Sequence, residues 1–432
     1  MPNLIVALNG IGIGRLTLEK SGAMAFQYYS DWVERRGARA ISLSLPLSRA
    51  PFRGEQVYNF FDNLLPDSEA IRSRMQARLQ LPTRHPFDLL ASIGRDCIGA
   101  IQLYPEEVQP SAIRAVTAEP LSTEAIESLL GSYQDAPLGM ARDRDFRISL
   151  AGAQEKTALL WYQQQWQRPT GSTPTSHIFK LPIGFLEHSN IDLRESGENE
   201  WLCLQILKAF GVPVANVQMA QFGAQKVLIV ERFDRRWSND GSWLMRLPQE
   251  DFCQALGVAP AIKYESDGGP GISDGMRLLL GSQRANEDRE LFFKAQILFW
   301  LLAAIDGHAK NFSLFLEPGS AYRMTPLYDV ISAYPLMAQG SMAKEKAKMA
   351  MAVKGRNRHY RWARIEPRHF LATAEGVGYS AERASAIIAG IVDRAEQAIS
   401  SVENTIPVGF PASVGEPILE GVKRQVERLA RF

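Results

Sequence analysis

Short apolar stretches, either alternating with polar residues or continuous, dominate the first half of the chain. They predict strands at residues 4–8, 41–45, 157–162, 177–182 and 227–234. Asn9 and Gly10, directly after the first of these stretches, have the composition of a two-residue hairpin turn. Ser68 is a candidate N-cap for a helix that ends before Pro82. The first half is therefore predicted to be rich in strands.

The second half of the chain carries apolar residues at helical spacing. Leu291, Leu298 and Leu302 would lie on one face of a helix that begins with Asn286 as its N-cap. Further helices are predicted at residues 367–373, 380–402 and 416–430. The pattern predicts an α+β protein with a mixed, strand-rich first lobe and a mostly helical second lobe. The predicted parts are an N-terminal module at residues 1–110, a connector at 111–140, a strand-rich part at 141–245 and a helical part at 246–432.

Composition narrows the class of protein only a little. The 48 Lys and Arg residues nearly balance the 47 Asp and Glu residues, so net charge indicates no partner. The three cysteines, Cys97, Cys203 and Cys253, lack metal-ligand spacing and are expected to be reduced thiols of a cytoplasmic protein. The start of the chain has no signal-peptide pattern, and no apolar stretch is long enough to predict a membrane span.

Three residues in the second half have the types and spacing that phosphoryl transfer requires. Asp306 and Asn311 stand five positions apart, and Asp329 follows Asn311 by eighteen. Protein kinases use this offset for the carboxylate that accepts the substrate proton and for the amide that binds metal, with a second carboxylate further on. Mg²⁺ prefers such hard oxygen ligands. Ala304 and Ile305 replace the usual His-Arg before the first Asp, so an ordinary eukaryotic-type kinase is excluded.

Other parts of a kinase precede these residues in the expected order. A loop of small residues at 151–156 could bring main-chain N–H groups to phosphate oxygens. Lys180 lies in an apolar predicted strand and could reach the phosphates, paired with either Glu198 or Glu200 from the next helix. The polar end of the strand at residues 227–234 stands where a kinase hinge would meet adenine.

Long stretches of the chain also resemble one family. Residues 59–68, 151–157, 230–237, 263–271 and 306–313 are similar to HipA, the kinase of the HipA–HipB type II toxin–antitoxin pairs, and the resemblance covers nearly the whole chain. It implies a two-lobed, protein-kinase-like fold and a serine/threonine-protein kinase that uses ATP and Mg²⁺. Asp306 would be the catalytic base, with Asn311 and Asp329 as metal ligands. The residues implied to contact ATP are Ala151, Gly152, Ala153, Gln154, Glu155, Lys156, Lys180, Glu231, Arg232, Phe233, His308, Ala309, Lys310, Asn311, Tyr328, Asp329, Val330 and Ile331.

The resemblance also implies regulation and partners. Ser149 matches the autophosphorylated serine of the family, whose modification expels the phosphate loop and inactivates the kinase. A phosphoserine brings about two negative charges to a site built for ATP phosphates. The implied partners are a HipB-type antitoxin dimer, operator DNA reached through that dimer, and the family substrate glutamyl-tRNA synthetase. Such a protein would be cytoplasmic, and nucleoid-associated when it is bound to antitoxin and DNA.

A basic segment supports the expected contact with DNA. Residues 344–368 contain nine Lys or Arg and two Glu, which gives a net charge of +7. Clustered bases gain from releasing the counterions of DNA, and Arg364 and Arg368 are the predicted DNA-binding residues. Two alternatives remain open, a small-molecule phosphotransferase and a catalytically silent subunit of a DNA complex.

Overall fold

The computed structural model describes residues 1–108, 114–132, 150, 154–186 and 190–431 of the chain. The chain forms two compact units and passes between them repeatedly. Unit 1 comprises Met1–Leu181, Ala220–Ala261 and Leu314–Tyr322, and unit 2 comprises Pro182–Met219, Ile262–Ser313 and Arg323–Phe432. Most strands belong to unit 1 and most helices to unit 2, which confirms the predicted α+β class.

The N-terminal part of unit 1 is built on a five-stranded antiparallel sheet. In spatial order β4-β3-β2-β1-β5, it consists of β1 (Asn3–Leu8), β2 (Ile11–Leu18), β3 (Met24–Tyr28), β4 (Phe52–Arg53) and β5 (Ile101–Pro105). Asn9 and Gly10 have φ values of 46° and 73°, which the tight turns of two-residue hairpins require. The predicted hairpin between β1 and β2 is therefore confirmed.

Helices pack against this sheet and complete a hydrophobic core. They are α1 (Ser30–Glu34), α2 (Glu55–Asp62), α3 (Glu69–Leu79) and α4 (Pro86–Ile93). Phe60 and Phe61 of α2 are fully buried in one cluster with Phe26 of β3. The Ser68 side chain accepts a hydrogen bond from the N–H of Ile71, so the predicted cap of α3 is confirmed.

The predicted strand at residues 41–45 is wrong. These residues alternate correctly between apolar and polar, but no strand includes them. The hydroxyls of Ser42 and Ser44 donate to the carbonyl of Gln254, and the N–H of Leu43 donates to the Glu250 carboxylate at 2.9 Å. The polar groups of residues 41–45 therefore bond to the segment around Gln254. They do not form the hydrogen bonds to a neighbouring strand that the period-two pattern predicts.

A second, six-stranded sheet of unit 1 carries the predicted nucleotide-binding residues. Its spatial order is β12-β13-β9-β7-β8-β6. The strands are β6 (Ala118–Pro120), β7 (Lys156–Tyr162), β8 (Gln165–Pro169), β9 (His177–Lys180), β12 (Val217–Phe222) and β13 (Gln225–Glu231). Helix α5 (Thr123–Gly131) buries Ile126 and Leu130 in a core cluster with Leu159 and Phe179 of this sheet. The predicted strands at residues 157–162, 177–182 and 227–234 are confirmed as β7, β9 and β13.

Shorter elements follow along the chain. Strand β14 (Arg235–Trp237) pairs with β15 (Leu244–Arg246), and α7 (Phe252–Leu256) begins with a capping box formed by Asp251 and Gln254. A three-stranded sheet contains β16 (Gln249–Asp251), β17 (Ser313–Leu316) and β18 (Tyr322–Met324).

Unit 2 is mostly helical. Its helices are α6 (Ser196–Ala209), α8 (Ile272–Leu278), α9 (Ala285–Leu301), α10 (Tyr334–Ala338), α11 (Pro367–Gly376), α12 (Ala381–Glu403) and α13 (Ala412–Ala430). It also contains two hairpins, β10 (Gly184–Leu186) with β11 (Ile191–Leu193), and β19 (Lys348–Lys354) with β20 (Arg358–Arg361). Helix α12 packs against α6, α9, α11 and α13. No helix in the described part of the chain has the length and apolar character needed to cross a membrane.

The predicted start of α9 is wrong, although the helix itself is confirmed. The helix begins at Ala285 with Arg284 as its N-cap, so Asn286 lies inside the first turn. The carbonyl of Arg284 accepts from the N–H of Asp288, which closes the first turn earlier than expected. The Asn286 side chain accepts a hydrogen bond from Arg383 of α12 and caps nothing. A tertiary contact has replaced the local one that its sequence position predicted.

Candidate active site

Asp306 follows α9 through a tight turn. Ala303 has a left-handed conformation with a φ of 47°, and the N–H of Ala304 donates to the carbonyl of Phe299 at 2.8 Å. A Cβ atom added to Gly307 would lie 2.5 Å from the ring of Phe299, so only glycine allows this close approach. The Asp306 side chain is exposed next to the end of a buried helix, where a carboxylate can meet an incoming substrate.

A tyrosine that the sequence argument did not select contacts this carboxylate. The hydroxyl of Tyr264 donates to Asp306 Oδ1 at 2.5 Å. The Tyr264 ring also meets the imidazole of His308 edge-on, with ring centroids 5.0 Å apart. Its only sequence signal was its place in the family-like stretch 263–271. Sequence spacing could not reveal the contact because 42 positions separate the two residues.

The structure brings the two predicted metal ligands together. A single turn of 3₁₀ helix, Ala309–Asn311, places the Asn311 amide so that Nδ2 donates to Asp329 Oδ2 at 3.2 Å. Asn311 Oδ1 accepts from the N–H of His308, which fixes the orientation of the amide. Asp329 has a φ of 59°, a left-handed conformation that is uncommon outside glycine and concentrates at functional sites.

The chemistry of this pair fits Mg²⁺. One carboxylate and one amide are residue types that supply Mg²⁺ with hard oxygen ligands alongside water and substrate phosphates. In this structure the amide nitrogen of Asn311 faces Asp329, and its oxygen accepts from the N–H of His308. Among the residues that the structure describes, no group of three or more His, Cys, Asp or Glu could hold a metal ion. In kinase sites the phosphates of the nucleotide complete the coordination of a metal that a carboxylate and an amide hold.

The other predicted nucleotide residues of unit 2 surround this turn. The Tyr328 hydroxyl donates to the carbonyl of Lys310 at 2.9 Å and hydrogen-bonds with the Ser313 hydroxyl. Tyr328 therefore braces the segment that carries Asn311. Ala309, Lys310 and Val330 are buried, and Ile331 is half-buried.

In unit 1, the structure aligns two of the predicted lysines. Lys156 of β7 and Lys180 of β9 stand directly opposite each other in the antiparallel pair, and both are buried. Directly opposed residues project from the same face of a sheet, so both lysine side chains leave the β7–β9 pair on one side.

The predicted phosphate loop is only partly described. Ser149, Ala151, Gly152 and Ala153 lie outside the described residues, so their predicted roles stay predictions. The Gln154 side chain donates to the carbonyl of Leu181 at 2.6 Å, and Glu155 forms an ion pair with Arg74 of α3. The first contact joins the residues before β7 to the residue that follows β9. The second joins them to α3 in the N-terminal part of unit 1.

The predicted hinge contains an arginine, Arg232, whose main-chain N–H and guanidinium already form hydrogen bonds and ion pairs within unit 1. The Arg232 N–H donates to the carbonyl of Ser176, and its guanidinium binds Asp234 at 2.8 Å and Asp96 at 3.4 Å. Its side chain is only 1% exposed. Glu231 ends β13, and the Phe233 ring meets the Phe315 ring edge-on at 5.8 Å.

Asp96 is the centre of a buried charge network that the sequence argument missed. Its carboxylate accepts from Arg235 and Arg246, both at 3.0 Å, and from the Thr175 hydroxyl at 2.7 Å. Burial alone raises the pKa of Asp96, but Arg235, Arg246 and Arg232 outweigh it and hold that pKa well below its usual range. Burial and the neighbouring Arg232 lower the pKa of Arg235 to about 10. The cluster of charges at 231–236 was its only visible sign in the sequence.

The acidic partner of Lys180 stays a prediction. Glu198 and Glu200 are both buried in the first turns of α6, which begins at Ser196. They belong to unit 2 and Lys180 belongs to unit 1, so the structure of each unit leaves the choice open.

The basic segment forms the hairpin β19–β20 and the turn that follows it. The nine Lys and Arg side chains of residues 344–368 are all exposed. Arg358 lies 3.5 Å from Glu265, and Arg368 lies 2.8 Å from Glu366. Both predicted DNA-binding residues, Arg364 and Arg368, therefore face solvent in unit 2.

Comparison with protein families matches both parts of the chain. Residues 4–104 match the HipA N-terminal domain, and residues 148–399 match the HipA-like C-terminal domain. A relative from Sinorhizobium fredii (strain NBRC 101917 / NGR234), Y4mE, whose name describes it as a candidate kinase, is 34% identical over 329 residues, or 75% of this chain and 76% of the relative. The serine/threonine-protein kinase toxin HipA of Shewanella oneidensis is 28% identical over 337 residues, or 75% of this chain and 74% of that toxin.

Comparison with solved structures matches the whole fold. The HipA, HipB and operator DNA complex of the Shewanella oneidensis MR-1 toxin–antitoxin system contains a chain that superimposes with a TM-score of 0.81. The match covers 99% of this chain and 97% of the other at 23% sequence identity. At this identity the likeness shows the fold, and it confirms the expected kinase-like architecture.

Proposed function

The chain belongs to the HipA family, and from this premise we propose that it is a serine/threonine-protein kinase toxin that transfers the γ-phosphate of ATP to a serine of another protein. One observation carries the proposal. Asn311 and Asp329, the two metal ligands predicted from the sequence, are neighbours whose side chains share a hydrogen bond of 3.2 Å, and an exposed Asp306 precedes Asn311 by five residues. The residue types match the base and the metal ligands of kinase chemistry.

The proposed transfer needs one proton acceptor from this chain. The serine oxygen forms a bond to the γ-phosphorus, the bond from that phosphorus to the β–γ bridging oxygen breaks, and its electron pair leaves on ADP. Asp306 accepts the serine proton. Asp329 and Asn311 would hold Mg²⁺, which offsets the negative charge of the phosphates. The exposure of Asp306 supports a protein substrate, because a serine on a large partner must reach its carboxylate.

We propose that unit 1 supplies the remaining contacts to ATP. Lys156 and Lys180 would meet the phosphates, and their buried, directly opposed positions support this role. The segment from Glu231 to Phe233 would meet adenine. Because the N–H and guanidinium of Arg232 are engaged within unit 1, its part would be to fix the conformation of this segment.

The proposed role of Asp329 as a metal ligand predicts how its replacement changes ATP binding. Asp329→Ala should weaken Mg²⁺-dependent ATP binding by at least about 10–100-fold, since removing even a supporting group of a metal ligand has that effect. Titration calorimetry with ATP, with Mg²⁺ and with EDTA, measures the change. The control is Asp393→Ala, an exposed aspartate of α12 in the same unit. Equal affinities of the Asp329 variant and the wild type in Mg²⁺ would remove Asp329 from the metal site.

Phosphorylation mapped by mass spectrometry after incubation with ATP and Mg²⁺ tests the kinase role itself. We propose that Ser149 is the main self-phosphorylation site and that its phosphate weakens ATP binding through negative charge. We also propose glutamyl-tRNA synthetase as the protein substrate, from the family resemblance alone. Phosphate transfer to that enzyme, compared with transfer to the proteins of a whole cell extract, tests this choice.

We further propose that the protein acts as a corepressor with a HipB-type antitoxin dimer on operator DNA. The exposed bases of residues 344–368 support the proposal, as does the relative whose solved complex contains HipB and operator DNA. The complex would then associate with the nucleoid. Because the whole chain carries a net charge of only +1, we expect negligible operator binding without the antitoxin.

Replacing Arg364 and Arg368 together by glutamine should weaken the complex with antitoxin and operator evenly across DNA sequences. Each phosphate contact contributes about 0.9 to the log–log salt slope, so the slope should fall by roughly two units. Fluorescence anisotropy over a range of salt concentrations measures it. The control is the double replacement of Arg36 and Arg78, two exposed arginines of unit 1. A wild-type slope in the Arg364 and Arg368 variant would assign DNA contact to the antitoxin alone.

A further inference from the structure

The segment that carries Tyr264 is a tight loop built by glycine. The carbonyl of Tyr264 accepts from the N–H groups of Asp267 and Gly269, at 3.1 and 2.9 Å. Gly268 has a φ of 95°, and a Cβ atom added to Gly269 would lie 1.8 Å from the carbonyl oxygen of Ile262. No other residue fits these two positions without moving the loop. The path of the main chain at Tyr264 is therefore closely defined.

Contacts on both sides of Tyr264 hold this loop in place within unit 2. The next residue, Glu265, accepts from the N–H of Ala352 in β19 at 2.6 Å and pairs with Arg358 in β20. The preceding residue, Lys263, offers its carbonyl to the N–H of Ala309 at 3.4 Å. Burial raises the pKa of Glu265, which the N–H of Ala352 and the charge of Arg358 partly offset. Tyr264 is thus anchored to the basic hairpin on one side and to the turn after Asp306 on the other.

The Tyr264 hydroxyl meets the predicted base directly. Its distance of 2.5 Å to Asp306 Oδ1 lies in the range of O–H donors bound to ionised carboxylates. The His308 ring packs against the tyrosine ring at a right angle and restricts its rotation.

We propose that Tyr264 is a positioning residue for Asp306 in the phosphate transfer. By donating to Oδ1, it holds the carboxylate of Asp306 in one rotamer for the incoming substrate hydroxyl. The serine proton moves to the Asp306 carboxylate as the serine oxygen bonds to the γ-phosphorus and ADP leaves with the electron pair of the broken bond. The donated hydrogen bond also favours the ionised carboxylate over the protonated one, which keeps the base ready at lower pH. This inference rests on the proposed kinase function.

The test is Tyr264→Phe, which removes the hydroxyl and keeps the ring. One charge-assisted hydrogen bond is lost, so kcat should fall by about tenfold or more with KM for ATP unchanged. The acidic limb of the pH profile of kcat/KM should also move to higher pH, because the carboxylate becomes easier to protonate. A purely structural tyrosine would leave this limb in place. Thermal unfolding of the variant checks that the loop still folds.

Tyr379→Phe is the matched control. Tyr379 is buried in the same unit, and its hydroxyl has no hydrogen-bond partner among the described residues. The Tyr379→Phe variant should show the kcat and the pH profile of the wild type. An unchanged or raised kcat in Tyr264→Phe would overturn the inference, and a rise would mean that the hydroxyl blocks the base.

The Asp306→Asn variant separates this outcome from failure of the kinase proposal. If Asp306→Asn is inactive while Tyr264→Phe behaves as wild type, only the positioning role fails. If both variants transfer phosphate normally, Asp306 is not the base and both proposals fail.

Discussion

Replacing Asp306 by asparagine is expected to lower the rate of phosphate transfer by about 10²–10⁴-fold, the usual contribution of a positioned general base. Asparagine has nearly the same shape but cannot accept the serine proton. The proposed metal ligands Asn311 and Asp329 are untouched, so ATP affinity should remain close to that of the wild type. Single-turnover transfer from labelled ATP measures the rate, and calorimetry measures the affinity.

The same change at Asp393 supplies the control for charge. Asp393 is exposed on α12, and Asp393→Asn should transfer phosphate at the wild-type rate. If Asp306→Asn lost activity together with ATP affinity, the residue would serve nucleotide binding, and another group would have to accept the proton. Wild-type turnover would exclude Asp306 from the chemistry altogether.

Replacing Asp96 by asparagine is expected to lower the free energy of unfolding by about 3–5 kcal/mol, the usual cost of leaving a buried charge uncompensated. The change leaves Arg232, Arg235 and Arg246 with Asp234 as the remaining carboxylate of the described network. All five charged side chains of that network are buried, so water cannot screen the repulsion between the arginines. Urea denaturation of the purified protein measures the loss.

Asp31 offers a matched control for this experiment. It is an exposed aspartate in the first turn of α1, also in unit 1, and Asp31→Asn should change the free energy of unfolding by no more than about 0.5 kcal/mol. A loss below about 1 kcal/mol for Asp96→Asn would mean that water or a shifted side chain compensates the arginines, and that the network contributes little to stability.

The position of this network explains why the first hundred residues belong to the same unit as the strands with the predicted ATP-binding lysines. Asp96 lies in the segment that matches the HipA N-terminal domain, and its arginine partners lie in the segment that matches the HipA-like C-terminal domain. The N–H of Gly99 adds a hydrogen bond to Asp234 at 2.7 Å. Unit 1 therefore contains parts of both family domains, joined through buried ion pairs directly after the predicted hinge.

Features that depend on neighbouring residues were determined by the sequence itself. The turn at Asn9-Gly10, the cap at Ser68 and the strands at residues 157–162 and 177–182 follow from local propensity and from the spacing of apolar residues. Lys156, predicted to lie in the preceding loop, is instead the first residue of β7. The offset between Asp306 and Asn311 also identified the candidate site, because a short loop of fixed length is part of kinase chemistry.

Only the tertiary structure decided the contacts between distant residues. The serines of 41–45 bond to Gln254, more than 200 positions away, and Asn286 bonds to Arg383, 97 positions away; both contacts displaced the local structure that their patterns predicted. The contacts of Tyr264 with Asp306 and of Asp96 with Arg235 likewise join segments 42 and 139 positions apart. Propensity and spacing act within a few turns of chain, whereas these side chains pair because the packed core brings their segments within hydrogen-bonding distance.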